Sequence, residues 1–179
     1  MIKTASAKIQ AMRLGLVGIL ATILQCGTTA NSAETGCGAF KWPMDVEPGW
    51  LAGKSIDVDS GSSLATAPAA TLMLTLAEAS KVKFTLPPEG KSKPGAANAA
   101  ILTLGPLATS DHCQVTLSEE AWIDVIQDGH FVAPYDHSGA KECPGLRKRV
   151  RFELKPGTVI VQISAAAVDR LKLEIRPID

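Results

Sequence analysis

Hydrophobic and polar residues alternate with a period of two in a series of short runs, the mark of strands with one face buried. Leu72, Leu74 and Leu76 alternate with Thr71, Met73 and Thr75, and Val82, Phe84 and Leu86 alternate with Lys83 and Thr85. The short link AEAS between these two runs predicts that they pair as a hairpin. Ala99 to Leu104 reads as a further strand broken by Gly105-Pro106, and Gln114 to Leu117 starts the next. Val150, Phe152 and Leu154 alternate with Arg149, Arg151 and Glu153, and Val159 to Ile163 and Leu171 to Ile175 follow as the last two strands.

The sharpest local signal is WIDVIQ, then Asp128-Gly129, then HFV. Asp-Gly between strand-forming runs favours a type I′ turn, whose two central residues both need a positive φ, so a hairpin is predicted over Trp122 to Val132. On its first strand Trp122, Asp124 and Ile126 share one face and Ile123, Val125 and Gln127 the other. Asp124 is expected to be a carboxylate hydrogen-bonded by backbone rather than a reactive group.

The stretches between these runs read as connections. Lys54 to Ala70 is a Ser, Gly, Ala and Asp-rich loop around a short strand, and PPEGKSKPGAA, from Pro87 to Ala97, is a loop projecting into solvent. CGAFKWPMDVEPGW, from Cys37 to Trp50, holds two prolines and is expected to be extended, laying Phe40 and Trp42 against the strands. AAAVDR could form one helical turn. Eight or nine short strands with turn chemistry between them predict an all-β fold, an antiparallel β-sandwich of jelly-roll type.

The first residues change the compartment. Lys3, Lys8 and Arg13 precede an apolar run from Leu14 to Leu24, and small residues ending TTANSA follow, the layout of a secretory signal peptide cleaved after Ala33 or Ala30. The run is about half of the roughly 20 residues that span a bilayer, so no transmembrane anchor is expected after processing. Gln25 ahead of Cys26 is not the small residue that lipidation requires. Residues 1–33 are thus read as a leader and 34–179 as one domain of a periplasmic or secreted protein. The chain has 18 basic and 18 acidic residues; without the leader's three, 15 basic face 18 acidic, a balance that argues against a nucleic-acid partner.

Past the leader stand Cys37, Cys113 and Cys143. An oxidising compartment predicts one disulfide, for which three pairings exist. Cys37 with Cys143 is favoured because each lies beside a turn or chain end, and Cys113, opening the strand CQVTL, is expected to be a buried small hydrophobe. A bridge closing about 100 residues stabilises by roughly 4 to 5 kcal/mol by chain-entropy arithmetic.

Candidate chemistry is sparse. DVDSGSS, with Asp57, Asp59 and Gly61, resembles part of a calcium loop, but the twelfth position from Asp57 is Pro68 where glutamate is required. No GxSxG or HExxH occurs, and Glu119 and Glu120, adjacent in sequence, point to opposite faces of a strand. His130 and His137 with Asp136 and Glu142 could supply two imidazoles and a carboxylate, yet no HxH or HxD pair is present and ordinary exposed histidines are the plainer reading. No metal and no cofactor is expected. If Val150, Phe152 and Leu154 point inward, Arg147, Arg149 and Arg151 form an outward row about 7 Å apart that suits phosphate, sulfate or carboxylate groups, unless acids such as Glu153 or Glu174 neutralise it. Trp42 and Trp50 are candidates for a sugar-stacking platform.

The segments CGAFKWP, LSEEAWIDVIQDG and HSGAKECPGLRKRVRFEL resemble those of small exported proteins of alphaproteobacteria, over most of the chain past the leader. Such sequences are sometimes labelled homogentisate dioxygenase; that label implies an iron held by two histidines and a glutamate, for which His130, His137 and Glu142 are the candidates here. The strand arrangement is also similar to β-sandwich modules appended to secreted hydrolases, a likeness that concerns fold alone. The expectation is an exported, non-enzymatic β-sandwich that binds a ligand or partner at the cell envelope, with an anionic glycan or lipid headgroup as candidate. The alternatives are a small metal-dependent oxygenase and a structural accessory subunit of an envelope complex.

Overall fold

The structure is a computed structural model and describes residues 36–91, 93–108 and 111–178. The leader read over residues 1–33, Cys26 included, lies outside the described residues. The strands are β1 (Ile56–Asp59), β2 (Ser63–Leu64), β3 (Leu72–Thr75), β4 (Ala77–Glu78), β5 (Asn98–Leu107), β6 (Asp111–Leu117), β7 (Trp122–Gln127), β8 (His130–Phe131), β9 (Asp136–Gly139), β10 (Lys148–Leu154), β11 (Gly157–Ala166) and β12 (Arg170–Pro177). Among the described residues a 3₁₀ turn over Gly36–Ala39 and one α-helix, α1 (Glu47–Ala52), precede them. The fold is an all-β sandwich.

The first sheet runs β1-β3-β12-β6-β10-β9 and the second β2-β5-β11-β7-β8, with β4 also pairing β5. The chain changes sheet at most connections, staying within one sheet only from β4 to β5, β7 to β8 and β9 to β10. Leu72 and Leu74 of β3, Phe152 of β10, and Leu173 and Ile175 of β12 meet Leu102 and Leu104 of β5 and Val161 and Ile163 of β11 in a shared core. Cys113 is buried in the same core. The hairpin read from Asp128-Gly129 is present: Ile126 pairs with Phe131 and Gln127 with His130, and both turn residues have positive φ, 51° and 74°.

Four expectations are corrected. First, the sheets are mixed rather than purely antiparallel, because β1 runs parallel to β3 and β2 parallel to β5. Twelve strands are described where eight or nine were expected, the excess lying in two-residue pieces. Second, Gly105-Pro106 does not end β5. The strand continues to Leu107 through a register shift against β11, and Gly105 sits where a side chain would collide with the backbone of Ala65, its Cβ 2.5 Å from that carbonyl oxygen. Third, AAAVDR forms no helical turn: β11 extends through Ala166, with Ala165 at φ 54° in a second register shift.

Fourth, Val82 to Leu86 makes no ladder with β3. The chain instead lies across the outer face of the second sheet. The buried Gln162 side chain accepts from the Thr85 N–H at 2.7 Å and donates to the Leu86 carbonyl at 3.1 Å, as a neighbouring strand would. Asp124, register partner of Gln162, accepts from the Glu89 N–H at 3.2 Å and from the Trp122 indole N–H at 2.6 Å. Pro87 and Pro88 supply no backbone donor, so the segment could not continue as a paired strand. The structural reading of Asp124 thus matches what is seen.

Candidate functional site

The outer face of the first sheet is covered by residues 37–52, and the cover is fixed at both ends. At its start Cys37 is bonded to Cys143, with Phe40, Leu51, Ala140 and Leu146 packed around the bridge as a second small core. A disulfide fits a protein that folds outside the reducing cytoplasm. Towards its end the chain makes α1, which the two prolines were expected to forbid. Pro48 falls in the first turn, where a missing N–H costs no helical bond, so the second proline starts the helix instead of preventing it.

That helix carries Glu47, and Glu47 is fully buried. One oxygen, Oε1, accepts from Gln114 Nε2 at 2.6 Å, Arg149 Nη2 at 2.7 Å and Arg176 Nη2 at 2.7 Å. Burial by itself would raise this carboxyl, but the bonds from Arg176 and Gln114 and the charge of Arg149 hold it at about 2. Arg149 is 0% exposed and also donates to the carbonyls of Trp42 and Pro43, both at 2.9 Å. Glu174, buried on β12, stands 3.4 Å from Arg176 Nε; burial and the Glu47 charge push its carboxyl up.

The predicted arginine row is therefore not an open anion site. Arg149 and Arg151 do point away from the core, but the N-terminal segment lies over them. Arg149 is neutralised by Glu47, a residue 102 positions away, rather than by Glu153 or Glu174. Arg151 stacks on the Trp42 ring at 4.0 Å and donates to Gln114. Arg147 precedes β10 and bonds Glu120 and the Ala140 carbonyl instead. The predicted tryptophan platform is likewise divided. Trp42 is half-buried, its indole N–H on Gln114 at 3.0 Å and Arg149 5.0 Å from its ring. Trp50 sits half-buried in α1, its carbonyl bonded by Thr71.

The three candidate iron ligands are exposed and apart: His130 belongs to β8 in the second sheet, His137 to β9 in the first, and Glu142 to the loop after β9. His130 Nδ1 lies 2.8 Å from its own turn's Asp128 carbonyl. Among the described residues no group of three or more His, Cys, Asp or Glu is close enough to hold a metal.

What the cover creates is a cleft. Between α1 and the first sheet, beside β3 and the start of β12, lies a concavity of about 490 Å³, walled by Met44, Leu51, Met73, Leu146, Leu171 and the disulfide. This falls in the 300–1,000 Å³ range of small-molecule sites. Its polar groups are Ser118, Glu119, Arg170 and Lys172. The Lys172 ammonium donates to the Leu51 carbonyl and, among the described residues, has no carboxylate within ion-pair distance. Arg170 pairs with Asp57 at 2.5 Å, both largely exposed. Sequence reasoning missed Lys172, Arg170 and Glu47. The one signal available was Met73, an apolar residue on the Thr71 and Thr75 face of β3, which hints that this face is covered.

Comparison with protein-family models, with curated proteins and with solved structures finds no match to this chain.

Proposed function

We propose that the protein is exported by its leader to the periplasm or medium and there acts as a non-enzymatic binding protein, with the cleft beside α1 as its ligand site. The observation that carries this reading is the cleft's construction. Its apolar walls come from both the sandwich and the N-terminal cover, and a covalent bridge together with the buried Glu47 pairs fixes the cover in place. Rigid, largely apolar concavities with a few charged groups at the rim are what small-molecule recognition requires. Among the described residues His130 and His137 lie in different sheets and Arg149 and Arg151 are covered by the N-terminal segment, so the cleft is the preferred site.

Native mass spectrometry of the exported protein, mixed with an organic extract of the envelope, tests this. We expect an equimolar small-molecule adduct with the wild type and its loss with Met73→Trp, which fills the cleft. Absence of any adduct, or an adduct that Met73→Trp leaves in place, would sink the reading.

A further inference from the structure

The chemistry of the cleft narrows the ligand further, and this step rests on the cleft being the binding site. We infer that it takes a single-chain anionic amphiphile, an acyl chain ending in a carboxylate or phosphate, with the head group held by Lys172 and Arg170. Three observations lead there. The walls named above are hydrocarbon, thioether and disulfide, surfaces that match a methylene chain and gain from removing it from water. Met44 comes from the N-terminal cover and Met73 from β3, and unbranched thioether side chains adjust to a flexible chain of variable length. The volume lies in the lower half of the range for small-molecule sites, which suits one chain better than two.

The charges select the head group. Lys172 is half-buried and its ammonium donates to a neutral carbonyl with no carboxylate paired to it among the described residues, so an incoming anion would supply the counter-charge. Arg170 is bound to Asp57, but the Asp57 side chain is 80% exposed, and such a surface pair is weak enough to yield to a better-placed anion. Glu119 is the acidic side chain lining the cleft; it is exposed and is outnumbered there by Lys172 and Arg170.

Calorimetric titration with dodecanoate, neutral monolaurin and acetate, all below any micelle concentration, tests the assignment. Dodecanoate is expected to bind about a hundred-fold more tightly than monolaurin, the combined worth of two charge-assisted contacts, and acetate not measurably. Arg170→Gln and Lys172→Gln should each weaken dodecanoate about ten-fold and leave monolaurin unchanged, and Lys172→Arg should restore most of the loss. Arg170 is surface-exposed, so its variant stays informative even if Lys172→Gln unsettles α1. Equal affinity for dodecanoate and monolaurin, or insensitivity to both substitutions, overturns the head-group assignment while the cleft remains a binding site. No binding of either amphiphile, with the envelope-extract adduct still formed, overturns the ligand class. Binding only to anionic phospholipid vesicles, and never to the monomeric amphiphile, overturns it too.

Discussion

A carboxylate removed from water stays ionised only where donors and positive charge replace the lost hydration. Glu47 meets that condition with three nitrogen donors on one oxygen, and the consequence is a pH dependence with a definite sign. Its folded value of about 2 lies below the ordinary 4.5, so its ionisation contributes stability that is complete above pH 4.5 and is lost as pH falls toward 2. The size is about 3 kcal/mol. Glu174 acts in the other direction. Its carboxyl is raised, so its contribution is present below the ordinary value and lost as pH rises through the folded one. Melting temperature followed against pH should fall between pH 4.5 and 2 in the wild type. Glu47→Gln should lower stability by about 3 kcal/mol at neutral pH and flatten that acid limb. Glu174→Gln should instead remove the loss on the higher-pH side. A wild-type acid limb retained by Glu47→Gln would contradict this account.

Secondary elements here are set by what covers them as much as by what they pair with. Val82, Phe84 and Leu86 alternate with Lys83 and Thr85 because one side of the chain rests half-buried, yet the segment carries no sheet ladder. A period of two reports an extended chain with one covered side; it does not say whether a sheet edge or a sheet face does the covering. The outer-face Gln162 settles it, its amide taking the place of a strand edge. Gln162→Ala should therefore cost about 1 to 3 kcal/mol by leaving backbone groups at Thr85 and Leu86 without partners. Hydrogen exchange should quicken at those two amides while the core amides of β11 hold their protection. Unchanged exchange there would mean that packing alone holds the segment.

For the molecule as a whole, the disulfide ties residue 37 to residue 143, a separation of 106, and so restrains the segment that builds the cleft. Replacing both cysteines by serine is expected to lower stability by about 4 to 5 kcal/mol by chain-entropy arithmetic. The cover is attached to the sandwich from outside, and the core between the sheets contains neither cysteine of the bridge. The far-UV β signature should accordingly persist at moderate temperature, while amphiphile binding falls with loss of the cleft wall. Binding that survives the double serine variant intact would place the ligand elsewhere.

The alternation of side chains located the extended segments, β3, β10 and β12 among them, because a strand with one face in a core must write its burial into every second residue. Asp128-Gly129 fixed the hairpin, since few other residue pairs accept the backbone angles it needs. The pairing of Cys37 with Cys143 was also within reach, both residues lying where a link is sterically easy. Tertiary structure alone decided the rest. An outward residue carries no mark of what will lie over it, so Arg149 looked like a solvent-facing cation until Glu47 arrived from 102 positions away. The cleft has the same origin: Lys172 and Leu51 meet across 121 positions, and no local pattern encodes a contact that only the folding of the N-terminal segment onto the first sheet brings about.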